Sequence, residues 1–309
     1  MTVSVKPQVS VILPYYEGKR WLTRSVGSVY AQKGVLWELI IVDDGSKDPA
    51  EEILGTITEP RIKLLEETHG GKGKALNKGI AAASADVVCF IDQDDIMLPG
   101  RLLRQFEVFR SNPDVDVAYS DYERIYDDSR YIDCFISRQA SNQNCLHEMA
   151  IGRGLVSMQT LMIRRHTVQL IGGFSEDISL TGLDDAEFMS RLFASGAHMK
   201  YEPGIVQKWV LHDRNYSQSP IFEESRLVLL EHLNILATKW PMIKKEMPYF
   251  KFHNHYMRGL YFIQKKLFTN ALFEFRKTVQ SRPLHWAGYY MLVKSFIRCL
   301  IPTFQRAQI

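Results

Sequence analysis

An α/β fold, a mainly parallel sheet with helices on both faces, is the architecture this sequence predicts. Two observations carry it. Three short, strongly apolar runs, QVSVIL (residues 8–13), ELIIV (38–42) and DVVCFI (86–91), alternate with stretches of helical periodicity. The runs also end in polar or acidic clusters, at Pro14, at Asp43-Asp44-Gly45-Ser46 and at Asp92-Gln93-Asp94-Asp95. Ligands of open parallel sheets bind beyond the carboxyl ends of the strands, so three loops are expected to face one crevice.

In chain order, residues 8–13 predict a buried strand ending at Pro14. Residues 21–32 predict a helix, with Leu22, Val26 and Val29 on one face. A second buried strand covers 38–42, a turn or two of helix 50–56, and a short strand 62–65. A helix over 73–83 follows a glycine-rich loop, the third strong strand covers 86–91, and a helix covers 99–110. Alternation in VDVAYSD predicts a strand over 115–121. The polar, aromatic stretch 127–144 suits a hairpin or a loop. Residues 159–163 suit a strand and 184–195 a helix. From 222 to 301 the pattern is all-helical, with breaks expected at Pro241, Pro248 and Pro283. A boundary near 220 therefore divides a domain over 1–220 from a helical region over 221–309.

Composition narrows the class. The 309 residues are 46% hydrophobic and 24% charged, an ordinary globular balance. Four scattered cysteines fit neither a disulfide scaffold nor a CxxC metal site, so a reducing compartment is expected. The opening MTVSVKPQVSVILP lacks the features of a signal peptide. No stretch approaches about 18 uninterrupted apolar residues. A cytoplasmic protein, or one at the cytoplasmic face of a membrane, is the expectation. The net charge of +3 hides an asymmetry: residues 227–309 hold 13 Lys and Arg against 3 Asp and Glu. A basic tail suits nucleic acid or anionic lipid; no nucleic-acid module is recognised, so nucleic acid is not an expected partner.

Three clusters could carry chemistry. Asp92-Gln93-Asp94-Asp95 supplies hard oxygen ligands suited to Mg²⁺ or Mn²⁺ shared with phosphates; it equally suits a solvated turn with carboxylates before a helix. Asp43-Asp44-Gly45-Ser46 has ordinary turn chemistry but ends a second strand of the same sheet. His69-Gly70-Gly71-Lys72-Gly73-Lys74 opens a helix, where glycines and the helix amino end favour an anion. It is neither a Walker loop nor a dinucleotide fingerprint, and a flexible turn with solvated lysines is the plainer reading.

Taken in order, VSVILPYYEG, IIVDDGS, GGKGKALNKG, FIDQDDIMLPGRL and GLDDAEFMSRL resemble the family 2 inverting glycosyltransferases of GT-A fold, over roughly residues 8–220. The resemblance implies that Pro14 and Tyr16 line the base pocket and that Asp44 reads the uracil edge, pointing to a UDP-sugar donor. It implies that Asp92 and Asp94 form the DxD motif. Asp94 would bind Mn²⁺ or Mg²⁺, and Asp92 the ribose or a metal water. Lys72 or Lys74 would support the diphosphate, and Asp95 would cap the next helix. Asp184-Asp185 stands where the family usually has Glu-Asp. Asp185 is the implied general base, and the shorter Asp184 leaves the division of labour between the two open. His212, in LHDRNYS, is implied as a further metal or diphosphate ligand. The processive relatives carry QxxRW and membrane spans; Gln207-Lys208-Trp209 without spans implies a non-processive enzyme.

The tail adds two expectations. Gly259, Tyr261, Ala271, Phe275 and Pro283 resemble one tetratricopeptide-type repeat, which cannot bury its own face and must dock on the catalytic domain or a partner. Residues 286–301 form an amphipathic helix with Trp286, Tyr289, Tyr290, Val293, Phe296, Ile297, Leu300 and Ile301 on one side and Lys294 and Arg298 on the other. It suits a membrane interface or a core-facing terminal helix equally. The expected function is transfer of a sugar to a hydroxyl of a glycan or lipid-linked acceptor, in bacterial surface polysaccharide synthesis. A non-catalytic nucleotide-sugar or glycan-binding scaffold is the alternative, and a nucleotidyltransferase a weaker one.

Overall fold

The computed structural model describes residues 6–55, 59–216 and 219–306, with the side chains of Arg298 and of 300–306 left aside. Four strands form a parallel block: β1 (Val9–Tyr15), β2 (Trp37–Asp43), β3 (Ile62–Glu66) and β4 (Val87–Phe90). Their spatial order is β3-β2-β1-β4, with Ile12 opposite both Ile40 and Phe90. The sheet then continues as β8 (Met162–Arg164), β6 (Val117–Tyr126), β9 (Met199–Leu211) and β5 (Ile96–Met97), with β7 (Tyr131–Phe135) paired to β6. β8 is antiparallel to both β4 and β6; β6 and β9 resume parallel pairing.

Strand alternation explains the two-sided packing. Val9, Val11, Leu13, Leu39, Ile41 and Cys89 face one core, filled from α1 (Lys19–Tyr30) and α4 (Arg101–Ser111) by Leu22, Val26, Leu102 and Phe109. Their neighbours Ile12, Ile40, Val42, Val88 and Phe90 face the other core. There they meet α3 (Lys72–Ala82) and α7 (Asp184–Ala194) through Leu76, Ile80, Phe188 and Leu192. Two short helices, α2 (Ala50–Leu54) and α6 (Arg165–Leu170), complete the connections.

β1 runs through Pro14 instead of ending there. The Ile12 carbonyl faces β4 and accepts from Ile91 N, and the Tyr15 carbonyl faces β2 and accepts from Asp44 N. Pro14 therefore faces the β4 side, where the ladder has already stopped and no N–H is needed. Residues 127–135 do close a hairpin, but 142–150 form α5 (Asn142–Ala150), which the sequence reading left without structure. Ser141 caps it by accepting from Asn144 N, and Cys145, Leu146 and Ala150 bury one side.

The C-terminal region is helical as expected: α8 (Pro220–Lys239), α9 (Pro241–Gln264), α10 (Phe268–Ser281) and α11 (Trp286–Arg306). Pro241 and Pro283 stand at breaks, but Pro248 does not. It lies inside a continuous α9, leaving one intrahelical bond unmade without ending the helix. The repeat-like packing is present, with the Gly259 Cα closely approached by the Phe275 ring and Ala271 and Phe275 fully buried. Tyr256 and Phe262 pack against this cluster, whereas the expected Tyr261 is not among its members. No helix among the described residues is long and apolar enough to cross a membrane. Residues 1–5, Thr56, Ser217 and the side chains of Arg298, Leu300 and Ile301, on which parts of the sequence reading rest, lie outside the described residues.

Candidate active site

A cleft of about 500 Å³ opens at the carboxyl ends of β1, β2 and β4. Pro14, Tyr16, Asp44, Lys72, Asp92, Asp94, Asp184, Asp185 and His212 all line it, so the fold brings together six segments separated by up to 198 positions in the chain. Lys74 is not among the lining residues. Two positions along α3 from Lys72, it faces another way and pairs with Glu67 at 3.3 Å.

One end of the cleft is lined by stacked rings. Asp44 is 2% exposed; its carboxylate accepts from Gly70 N at 2.8 Å and Gly71 N at 2.9 Å and contacts His69 Nδ1 at 2.9 Å. Asp44 thus fixes the glycine-rich loop as well as facing the pocket. Gly71 has φ +90°, a conformation that favours glycine. The His69 imidazole stacks on Tyr16 with ring centres 4.2 Å apart. Gln93, the middle residue of the DxD segment, clamps this end: Oε1 accepts from Tyr16 N at 2.7 Å and Nε2 donates to Tyr16 O at 2.9 Å. Neither His69 nor Gln93 was assigned a role from sequence. An amide side chain between two aspartates carries no spacing signal; only the fold shows its target.

The acidic end holds more carboxylates than cations. Lys72 Nζ pairs with Asp92 at 2.7 Å. Partial desolvation works against its charge, but Asp92, Asp184 and Asp185 outweigh it and raise its pKa above the ordinary lysine value. Asp94 contacts His212 Nε2 at 2.8 Å. The His212 ring stacks on Trp21 at 4.0 Å, and its Nδ1 accepts from Arg214 N at 3.1 Å. An occupied Nδ1 lone pair leaves the proton on Nε2, so the geometry is that of His212 donating to Asp94 and orienting it. Asp95 does not cap a helix. Two residues of β5 separate it from the turn before α4, and Gly100 is the N-cap there. Fully buried, Asp95 instead accepts from Gln207 Nε2 at 2.8 Å and Val210 N at 3.1 Å, tying the acidic loop to β9. Gln207 is held in turn by buried Arg101. Burial, with Asp94 and Asp92 nearby, pushes the Asp95 pKa well up.

Asp92 and Asp94 offer hard oxygen donors in a cleft with surplus negative charge, a donor set that fits Mg²⁺ or Mn²⁺. Among the described residues no three His, Cys, Asp or Glu side chains form a preassembled metal cluster. Asp92 is engaged by Lys72 and His212 acts on Asp94, so the three expected ligands are neighbours of the cleft without being a closed site.

Asp184 and Asp185 open α7, where the helix dipole favours acids. The helix is held in place by buried Arg191, which pairs with Glu187 and donates to Gly173 O at 2.7 Å. Asp184 is 7% exposed, and its Oδ2 has no partner among the described residues. Burial, then the neighbouring Asp184, push the Asp185 pKa up to about 7, with Lys72 pulling the other way. A carboxyl poised near neutrality in a cleft is suited to accepting a proton.

Comparisons with known proteins bear on the family and the fold. Residues 10–154 match the family model described as Glycosyl transferase family 2. An uncharacterized glycosyltransferase of Nostoc sp. is 38% identical over 115 residues, 36% of this chain and 36% of that protein. The chain spans about half the length of the curated relatives it matches. The S. aureus TarS 1-349 crystal structure in complex with UDP-GlcNAc matches with a TM-score of 0.69 at 15% identity, covering 97% of this chain and 92% of that one. The mannosyltransferase PcManGT from Pyrobaculum calidifontis, in complex with GDP-Man and Mn²⁺, gives 0.60 at 17% identity, covering 99% and 84%. At these identities the structural likeness is one of fold.

Proposed function

We propose that this chain, whose residues 10–154 match the glycosyl transferase family 2 model and whose fold is GT-A, is an inverting, metal-dependent, non-processive glycosyltransferase of that family. The donor is a UDP-sugar. The acceptor is a hydroxyl of a glycan or lipid-linked glycan, in bacterial surface polysaccharide synthesis at the cytoplasmic face of the inner membrane. The observation that carries the reading is the carboxyl pair Asp184-Asp185 facing Lys72 and Asp92 across one cleft.

In this reading Asp185 takes the proton from the acceptor hydroxyl. That oxygen forms a bond to the anomeric carbon as the bond to the diphosphate oxygen breaks on the opposite face, inverting the centre. Such a base contributes about 10²–10⁴-fold. Burial, with repulsion from Asp184 beside it, keeps Asp185 basic near neutrality. Lys72 offsets charge on the departing diphosphate. Tyr16, His69 and Pro14 hold the base, and Asp44 retains lone pairs for a ring N–H. Asp94 and Asp92 would hold Mn²⁺ or Mg²⁺, with His212 orienting Asp94 or joining it as a ligand. Bound there, the ion supplies Lewis-acid neutralisation of the leaving group.

The test is thermal unfolding with UDP, GDP, CDP or ADP, each with and without Mn²⁺. A ligand at a hundred times its Kd stabilises by about 2.7 kcal/mol. A shift with UDP that grows with Mn²⁺ and disappears in Asp94→Asn is the expected result. A larger shift with GDP moves the donor class. UDP binding with no turnover of any UDP-sugar by the full chain points instead to a glycan-binding scaffold.

A further inference from the structure

Helix α11 is apolar on two sides. Its inner side packs on α10 and α9: a Cβ at Gly288 would lie 3.2 Å from Val279, Met291 is 7% exposed and Ser295 is fully buried. Its outer side carries Trp286, Tyr289, Tyr290, Val293, Phe296 and Ile297, each 46–73% exposed. Single exposed apolar residues are common; a row of six over three turns is not. The face therefore does not take the core-facing role that the sequence alone left open.

The charge around this row is of one sign. Beyond Glu231 the chain has only two side-chain carboxylates, Glu246 and Glu274. Both are buried, at 2% and 3% exposure, and both are paired, Glu246 with His147 and Glu274 with His255 and Arg258. The exposed charge of α9, α10 and α11 is thus entirely cationic. Cations also border the aromatics directly: Lys294 lies 5.6 Å from the Tyr290 ring, and Lys277 lies 4.4 Å from the ring of Phe273, itself 58% exposed.

We propose that the outer face of α11, with its cationic surround, docks on an anionic lipid membrane, the helix lying in the plane of the interface. A lipid surface takes both features at once. Acyl chains accept Val293, Phe296 and Ile297; the headgroup layer accepts Trp286, Tyr289 and Tyr290; and anionic headgroups accept the lysines. A second copy of the chain covers the apolar row only by opposing like charges.

The inference stands apart from the donor reading, because vesicle binding needs no nucleotide. The full chain is sedimented with vesicles of phosphatidylglycerol and phosphatidylcholine in a one-to-two ratio, and with phosphatidylcholine alone. Binding at least about tenfold tighter to the anionic vesicles, weakened by salt, with a blue shift of Trp286 emission, is expected. The triple substitution Tyr290→Ser, Phe296→Ser, Ile297→Ser changes three side chains that are each more than half exposed. It should abolish vesicle binding while leaving thermal unfolding and UDP binding unchanged. Ile235→Ser, at an exposed position of α8, should change nothing. No sedimentation with anionic vesicles overturns the proposal, as does equal binding to neutral ones. So does a dimer in the absence of lipid that the triple substitution dissociates.

Discussion

Asp185 carries the sharpest predictions because its charge state is set by its surroundings. In its proposed role as base it must be ionised, and burial beside Asp184 pushes its pKa up to about 7. Transfer should therefore rise with pH to a plateau above about 7 and fall roughly tenfold for each unit below it, a profile read from kcat against pH. Asp185→Asn should lower kcat by about 10²–10⁴-fold with UDP binding retained. The stability sign follows from the same shift. The folded state holds this proton more tightly than the unfolded chain does, so the stabilisation present below the unfolded value is lost as pH rises through about 7. Asn carries no charge, so the variant should be more stable than the parent at pH 8, by about 1–3 kcal/mol, and lose that advantage in acid. At this scale the place of Asp44, Asp92, Asp94 and Asp185 at the cleft was legible because acidic clusters at strand and helix ends stand out in a linear chain. His69 and Gln93 were not: their partners, Tyr16 and Asp44, lie 25 or more positions away. Lys74 looked equivalent to Lys72 because a string of letters does not show which face of a helix each occupies.

Between elements, the decisive contact is that of α3 with the segment leading to α7. A Cβ at Gly73 would sit 1.9 Å from the Ser175 carbonyl oxygen. One turn later, Asn77 accepts from Phe174 N at 2.8 Å and donates to Phe174 O at 3.0 Å. The glycine is needed for this close approach and not for its backbone angles. Gly73→Ala should gain helix propensity yet push the 173–183 segment away, displacing Asp184 and Asp185 from Lys72. A displacement near 1 Å costs on the order of 10²-fold in rate, so kcat should collapse in a folded protein. Gly27→Ala in α1 is the matching control: nothing lies within 4 Å of its added Cβ, so it should stabilise by about 0.5–1 kcal/mol with activity unchanged. The glycine-rich loop suggested an anion site from sequence, but its third glycine proves to be a packing device. The same limit hid α5, whose amphipathic face is short and whose polar approach resembles a loop.

At the scale of the molecule, the helical region is not an appendage along its whole length. Leu229, Leu230 and Leu233 of α8 and Ile243, Met247 and Phe250 of α9 share one core with Ile12, Ile40 and Phe188 of the sheet and α7. Glu246 reaches across to His147 of α5 at 2.8 Å. The change to an all-helical pattern at 222, on which the proposed division into 1–220 and 221–309 rests, is a change of secondary structure; the apolar surface runs across it. α10 and α11 differ, gathering around a separate small cluster of Ala271, Phe275 and Met291. These two arrangements separate under truncation. A chain ended at residue 220 uncovers the apolar surfaces of α5 and α7 and should aggregate or melt without a cooperative transition, because six buried side chains worth about 1.5–3 kcal/mol each are lost from the shared core. A chain ended at residue 284 loses α11 alone. It should keep a cooperative transition and the UDP-dependent shift, while vesicle binding disappears. Cooperative unfolding with nucleotide binding in the shorter chain would instead establish 1–220 as an independent domain. Loss of nucleotide binding in the longer one would mean that α11 supports the cleft through the helices beneath it, rather than only presenting a surface.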